Sequence, residues 1–371
     1  MLKDKTKNIN VNRNVSVDFI RCVACFGVVS VHFLLNNGFY QTIMDCKRMY
    51  VMAFFRQFFL FCVPLFIMLT GYLECNKKPE KKYYKKIIKI LFVYVSISAL
   101  CYYLKPVLYS LFKSRYDLPD GDFGNGSLKG LIEGILGFNA CNYSWYIEMY
   151  LGLFLLIPFI NILYKNIPSR KEKKILIVTL FVLCSVPSVI RGLRQQQNQM
   201  FPEWWLKLWP ILYYVLGSYI REYNVKISRI KNIVLAFAFL AASGLICISK
   251  SKGFTWKYGP WSDWSSFFNV LFSYMVFIFL VNIRLDEIPK WAKKFFAKLS
   301  DLCFGIYLAS NIFDCVFYPI LAKRVPRVTD RFEYYFVIVP LVFVCSAIVS
   351  FVINKVYYFV SKLLLEKERI A

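Results

Sequence analysis

The chain contains one histidine, His32, and it follows Arg21 by eleven positions. On an α-helix, eleven residues at about 100° each come to about 20° past three full turns. The two side chains then share a face, about 16 Å apart along the axis. Asp18 lies three positions before Arg21 and can pair with it on such a helix. An imidazole is the side chain whose ordinary pKa suits proton transfer near neutral pH. A guanidinium offers a planar fork of donors that matches a phosphate or a carboxylate. Together they supply a base and an anion-binding group on one face. The plainer readings are a buried polar histidine, and an arginine that pairs with Asp18 or snorkels to an interface.

The surrounding sequence says what must hold them. Hydrophobic residues make up 58% of the 371 residues, and the mean hydropathy is +0.48. A water-soluble chain of this length could not bury so much apolar side chain, whereas lipid accepts it. Apolar segments fall at 17–38, 51–74, 87–112, 144–164, 175–190, 204–220, 232–249, 263–283, 299–322 and 334–361. Most approach the ~20 residues needed to span hydrocarbon. The segments 175–190 and 204–220 are short enough to share a re-entrant path. The expected fold is an all-α polytopic bundle of about ten transmembrane helices. Residues 1–14 and 362–371 are read as tails, and 15–361 as one membrane domain with no internal repeat.

The net charge of +25 does not point to nucleic acid. The basic residues stand in short runs between apolar segments, as in Lys77-Lys78-Pro79-Glu80-Lys81-Lys82, rather than on a continuous face. With the N-terminus inside, the inner connections hold 27 basic residues and the outer ones 14. The inner set includes Lys3, Lys5, Lys7, Arg13, Lys367 and Arg369. That asymmetry places both termini in the cytoplasm. The first apolar stretch carries Asp18, Arg21 and His32 and has no small-residue cleavage site, so it reads as a retained helix.

Three other features invite a chemical reading. Cys22-Val23-Ala24-Cys25 is a CxxC, one part of twelve scattered cysteines. A metal site would need more ligands than it offers, so core packing is the reading and no metal is expected. Asp117-Leu118-Pro119-Asp120-Gly121-Asp122, followed by Gly124-Asn125-Gly126, hints at calcium but lacks the glutamate of an EF-hand loop. It reads as turns leading to an interfacial stretch, Leu128 to Phe138. Arg56, Lys105 and Glu148 are the remaining ions assigned to spans. An Arg56–Glu148 pair would hold helices together, unless these groups bind a substrate. Trp145 suits either a membrane-interface belt or a site.

The motif Asp18-x-x-Arg21-x-x-Ala24-x-x-x-Val28-Val29-x-x-His32 resembles the first helix of the acyltransferase 3 family, bacterial integral membrane enzymes of which many O-acetylate surface polysaccharides. Three more stretches follow in order. Pro64-Leu65-Phe66-Ile67-Met68-Leu69-Thr70-Gly71-Tyr72-Leu73 resembles P-L-F-F-x-x-S-G-Y-L. Ser144-Trp145-Tyr146-Ile147-Glu148, running on to Pro158, resembles W-Y-L…P. Phe304-Gly305-Ile306-Tyr307-Leu308 resembles F-G-I-Y-L. The likeness covers roughly 15–360. It departs from the family at Thr70, where serine is common, and at Ala309-Ser310, where relatives often continue I-H. Any role of that second histidine would be dispensable here, or fall to Ser310 or Asn311.

The resemblance implies acyl transfer from a cytosolic acyl-CoA, most simply acetyl-CoA, to a hydroxyl of a cell-surface glycan or its lipid-linked precursor. The place would be the plasma membrane of a bacterium, with acyl-CoA as a substrate and no bound cofactor. His32 would be general base or acyl carrier, and Arg21 would bind a CoA phosphate or orient the thioester. Further contacts would come from Asp18, Thr70, Tyr72, Trp145, Glu148, Tyr307 and Ser310. Two other classes use the same helices. A secondary transporter would need the buried charges, and a sensor would not need His32.

Overall fold

The structure is a computed structural model and describes residues 14–121, 123, 126–193 and 204–370. Lys3, Lys5, Lys7 and Arg13, the turn residues Asp122, Gly124 and Asn125, and the side chains of Lys367 and Arg369 lie outside the described residues. Helices account for every long element, and no strand occurs among the described residues. The chain opens with α1 (Val15–Asn36). Next, α2 (Lys47–Phe59) and α3 (Cys62–Glu74) meet at Leu60-Phe61 and make a second crossing. One turn, α4 (Lys81–Tyr84), leads into α5 (Ile87–Tyr116). After it come α6 (Leu128–Leu136), α7 (Trp145–Lys165), α8 (Arg170–Leu193), α9 (Trp209–Tyr223), α10 (Arg229–Ser251) and α11 (Phe267–Val281). The chain closes with α12 (Lys290–Arg324), the single turn α13 (Val328–Arg331) and α14 (Tyr335–Ile370).

Nine stretches among the described residues are long and apolar enough to cross a membrane. The 175–190 segment belongs to a full-length helix, α8, which removes the re-entrant reading for it. The tenth segment, 204–220, differs. It forms a 3-10 turn, Trp204–Leu208, and then the 15 residues of α9, about 10 Å and about 22 Å long. Its inner end is tied by Glu222 to Lys173 at 2.7 Å. Its outer end lies where the Trp205 carbonyl accepts from Cys184 Sγ at 3.5 Å. The segment therefore runs antiparallel to α8. It does so on protein contacts: Leu212, Tyr213, Tyr214, Val215, Gly217 and Ser218 are all buried.

Two glycines allow that burial. A Cβ on Gly71 would overlap the Tyr214 carbonyl oxygen, and one on Gly217 would overlap the Met68 carbonyl. The backbones of α3 and α9 thus pass in direct contact, the close approach that small residues permit between membrane helices. The T-G-Y motif of α3 owes its glycine to this crossing.

Helix α1 is the centre of the bundle. Asn14 caps it by accepting from Ser16 N at 2.9 Å, which satisfies a first-turn donor. Ile20, Ala24, Cys25, Val29, Phe33 and Leu34 have no exposed surface. The cysteines of the CxxC face α12, where Cys25 Sγ donates to the Cys303 carbonyl at 3.4 Å and Cys22 Sγ to that of Phe296 at 3.7 Å. Ser30 and the Tyr335 hydroxyl share a 2.7 Å bond to α14. At the outer end Arg331 donates to the carbonyls of Asn37 and Val325, each at 2.7 Å, and so caps α1 and α12 together. In the acidic turn at 117–121, Asp117 pairs with Lys323 at 2.6 Å and Asp120 with Lys113. The stretch read as interfacial, Leu128 to Phe138, forms the helix α6 over Leu128–Leu136, capped by Ser127.

Candidate active site

Arg21 and His32 sit on α1 as their spacing requires, and they face different surroundings. Arg21 is part-exposed, with 34% of its side-chain surface accessible. It donates to Ser300 Oγ at 3.2 Å and lies 3.7 Å from Asp18, which is buried. Beside it an internal cavity of about 300 Å³ opens. Its inner part is lined by Arg21, Glu74, Lys89, Ser300, Asp301 and Asn354, and its outer part by Val28, Val63, Phe66, Tyr146 and Tyr307. Arg21 to Val28 along α1 and Ser300 to Tyr307 along α12 are each seven residues, so the cavity reaches about 10 Å into the bundle. The charged and polar groups gather at the inner end, beside Leu73 and Ile90, and the outer end is apolar and aromatic.

His32 lies one turn beyond that cavity and is only 7% exposed. Tyr307, whose ring centre is 6.2 Å from the imidazole, stands between them. Tyr146 meets Tyr307 edge-on at 5.7 Å. On another side, Tyr143 stacks on the imidazole with centres 3.6 Å apart and 25° between planes. The Tyr307 hydroxyl donates to the Tyr143 carbonyl. Ser310 Oγ is 3.4 Å from His32 Nδ1.

A polar network continues outward. Asn36 Nδ2 donates to the His32 carbonyl at 2.8 Å and to the Tyr143 hydroxyl at 2.9 Å. That hydroxyl donates to Asp314 Oδ2 at 2.5 Å. Burial first, and then the neighbouring Asp314, pushes the Tyr143 phenol well above its usual pKa, so it serves as a donor. The other Asp314 oxygen and the Tyr318 hydroxyl one turn further out are buried without a hydrogen-bond partner among the described residues.

Of the residues singled out from sequence, the cavity gathers Arg21, Thr70 and Tyr307, with Asp18 behind Arg21 and Ser310 beside His32. Thr70 turns its own hydroxyl to the Phe66 carbonyl at 2.8 Å. The other three stand apart. The Tyr72 hydroxyl accepts from Arg221 at 3.2 Å. Trp145 stacks on Trp264 at 4.5 Å and meets Tyr146 edge-on at 6.0 Å, supporting the cavity wall from behind. Glu148 is exposed on α7. The Arg56–Glu148 pair does not form. Arg56 donates to the Ser262 carbonyl at 2.6 Å and the Tyr40 hydroxyl at 3.1 Å and lies over the Trp256 ring at 4.8 Å. A carbonyl, a phenol and a π-face are its direct partners. Lys105 donates to Asn311 Oδ1 at 2.9 Å.

Sequence reasoning missed Tyr143 and Asp314. Asp314 left a signal, being an acid inside the 299–322 segment and four residues after Ser310. Tyr143 left none, because it precedes its helix and reads as one more interfacial tyrosine.

The cavity thus has a charged end and an apolar channel, with a buried imidazole one turn beyond it. A comparison with family models supplies the reaction: the acyltransferase 3 model, an acyltransferase domain, matches residues 14–355, and the chain belongs to that family. It is an integral membrane acyltransferase. No curated protein and no solved structure matches it.

Proposed function

We propose that this acyltransferase moves an acyl group, most simply acetyl, from acyl-CoA at the cytoplasmic face to a hydroxyl of a surface polysaccharide or lipid-linked glycan, in a bacterial plasma membrane. The observation that carries the reading is the cavity running from Arg21 to Tyr307, with His32 one turn beyond. Arg21 and Lys89 at the inner end suit the CoA phosphates, and the apolar walls suit the pantetheine arm. Asp314 Oδ1 and the Tyr318 hydroxyl, buried on the outer side of His32 and without a partner among the described residues, offer the hydrogen bonds a sugar hydroxyl needs. His32 takes the proton of the acceptor hydroxyl as its oxygen attacks the thioester carbonyl. The C–S bond breaks, the CoA sulfur takes the proton from the imidazolium, and the neutral base is restored. The Tyr307 ring must swing aside for the acyl carbon to reach the imidazole.

The test is acetyl-CoA turnover by the purified protein in lipid nanodiscs, with and without His32→Ala. Expression and insertion are expected to persist. Turnover is expected to fall by at least ~10²-fold, as for a lost general base. Near-normal turnover in the variant would remove both the base and the acyl-carrier roles. Substrate uptake into vesicles that needs His32 and releases no CoA would favour a transporter. Mass spectrometry of surface glycans from cells with and without the gene would identify the acceptor.

A further inference from the structure

We infer that Ser310 is a positioning residue that fixes the tautomer of His32, with the proton on Nδ1 and the lone pair on Nε2; the inference rests on His32 being the base. A neutral imidazole has one N–H and one acceptor nitrogen, and the hydrogen bond at one nitrogen decides which is which. Ser310 has a single hydroxyl proton and lies between two neighbours. The Tyr307 carbonyl, at 2.9 Å, can only accept. His32 Nδ1, at 3.4 Å, can do either. The shorter contact to the obligate acceptor takes the proton. Towards His32 the Ser310 oxygen then presents lone pairs alone, and Nδ1 must be the donor. The reverse assignment would give up the 2.9 Å bond for the 3.4 Å one.

The surroundings hold this choice in place. The Tyr143 ring stacked on the imidazole hinders the half-turn that would exchange the two nitrogens. Tyr143 is itself held by its hydroxyl on Asp314 and by its carbonyl under the Tyr307 hydroxyl. Nε2 is thereby left as the basic nitrogen. The serine of Ala309-Ser310 does for the imidazole what a carboxylate or carbonyl does for other catalytic histidines, without touching substrate.

Because the chain has one histidine, ring-nitrogen NMR reads the tautomer directly. The protein is labelled with 15N in histidine only, purified through a tag that lacks histidine, and measured in nanodiscs at a pH where the imidazole is neutral. The expected spectrum has a pyrrole-type Nδ1 and a pyridine-type Nε2. In Ser310→Ala the two are expected to move toward the opposite assignment. Turnover of acetyl-CoA should then fall by at least ~10-fold, as when a catalytic histidine loses its tautomer, while its KM stays within about twofold. A wild-type spectrum with the proton on Nε2, or a Ser310→Ala spectrum identical to wild type, overturns the inference. A tautomer that shifts while turnover does not confirms the role of Ser310 and instead removes His32 as the base.

Discussion

Arg21 meets both of its partners through one nitrogen. Nη1 donates to Ser300 and lies 3.7 Å from Asp18 at the edge of the cavity, and a phosphate would meet the other donors of the fork already oriented. Arg21→Lys keeps the charge and the pairing with Asp18 but loses that geometry. The expected result is a KM for acetyl-CoA raised about 10-fold, the order of one charge-assisted bond, with kcat little changed. An unchanged KM would leave Arg21 as a partner of Asp18 only. Arg21 and His32 were legible in the sequence because ions in a membrane helix are costly, on the order of 3 kcal/mol each, and stand out against an apolar background. Tyr143 and Asp314 complete the histidine's surroundings through contacts spanning more than a hundred residues of chain. Nothing local to either residue announces that meeting. Arg56 shows the opposite error: charge alone suggested a carboxylate partner, and a carbonyl, a phenol and an indole face supplied the need.

At the scale of helices, the contact of α3 with α9 decides whether the cavity has a wall. Thr70 lines the cavity, and Gly71 next to it meets the backbone of α9. Gly71→Ala puts a methyl where a carbonyl oxygen lies, and overpacking of this kind costs about 1–3 kcal/mol. Most of the twelve cysteines are buried, so a thiol-reactive dye follows unfolding directly. The midpoint of dye labelling on heating is expected to drop in Gly71→Ala. A midpoint equal to wild type would mean the two backbones are further apart. The sequence showed α3 through its apolar run and motif. It showed α9 only as the short segment 204–220, because a helix screened from lipid by neighbouring helices can carry tyrosines, serine and glycine in place of a long apolar stretch.

For the whole molecule, α9 bears on the parity of the chain. Nine long crossings alone would leave the termini on opposite faces, and α9 as a tenth would return them to the same face. It runs antiparallel to α8 between Lys173 and Cys184, about 16 Å apart along that helix, and the expected topology counts it as a crossing. The excess of lysine and arginine in one set of connections assigns that face to the cytoplasm. Reporter fusions at the N- and C-termini are expected to report the cytoplasm, and one placed within 113–143 the opposite side. Termini found on opposite sides would take α9 out of the count. Helix number and the central place of α1 follow from hydropathy and from the ions α1 carries. The cavity does not, because it is a space between helices and no single segment encodes it.

The tyrosine layer of Tyr146 and Tyr307, backed by Tyr143, has a consequence for the cell's energy supply. A protein that met one reactant on each face of an energised membrane, as proposed, would contain the two halves of a pore. Every elementary charge that leaked through it would dissipate about 2.3 kcal/mol per 100 mV of potential. Packed rings at 5.7 and 6.4 Å close the route between the charged cavity and the histidine. Under the proposed reaction, the barrier that the acyl group must pass is the same one that keeps protons and ions from following it, and each turnover would have to open the seal for the acyl group without opening both sides at once.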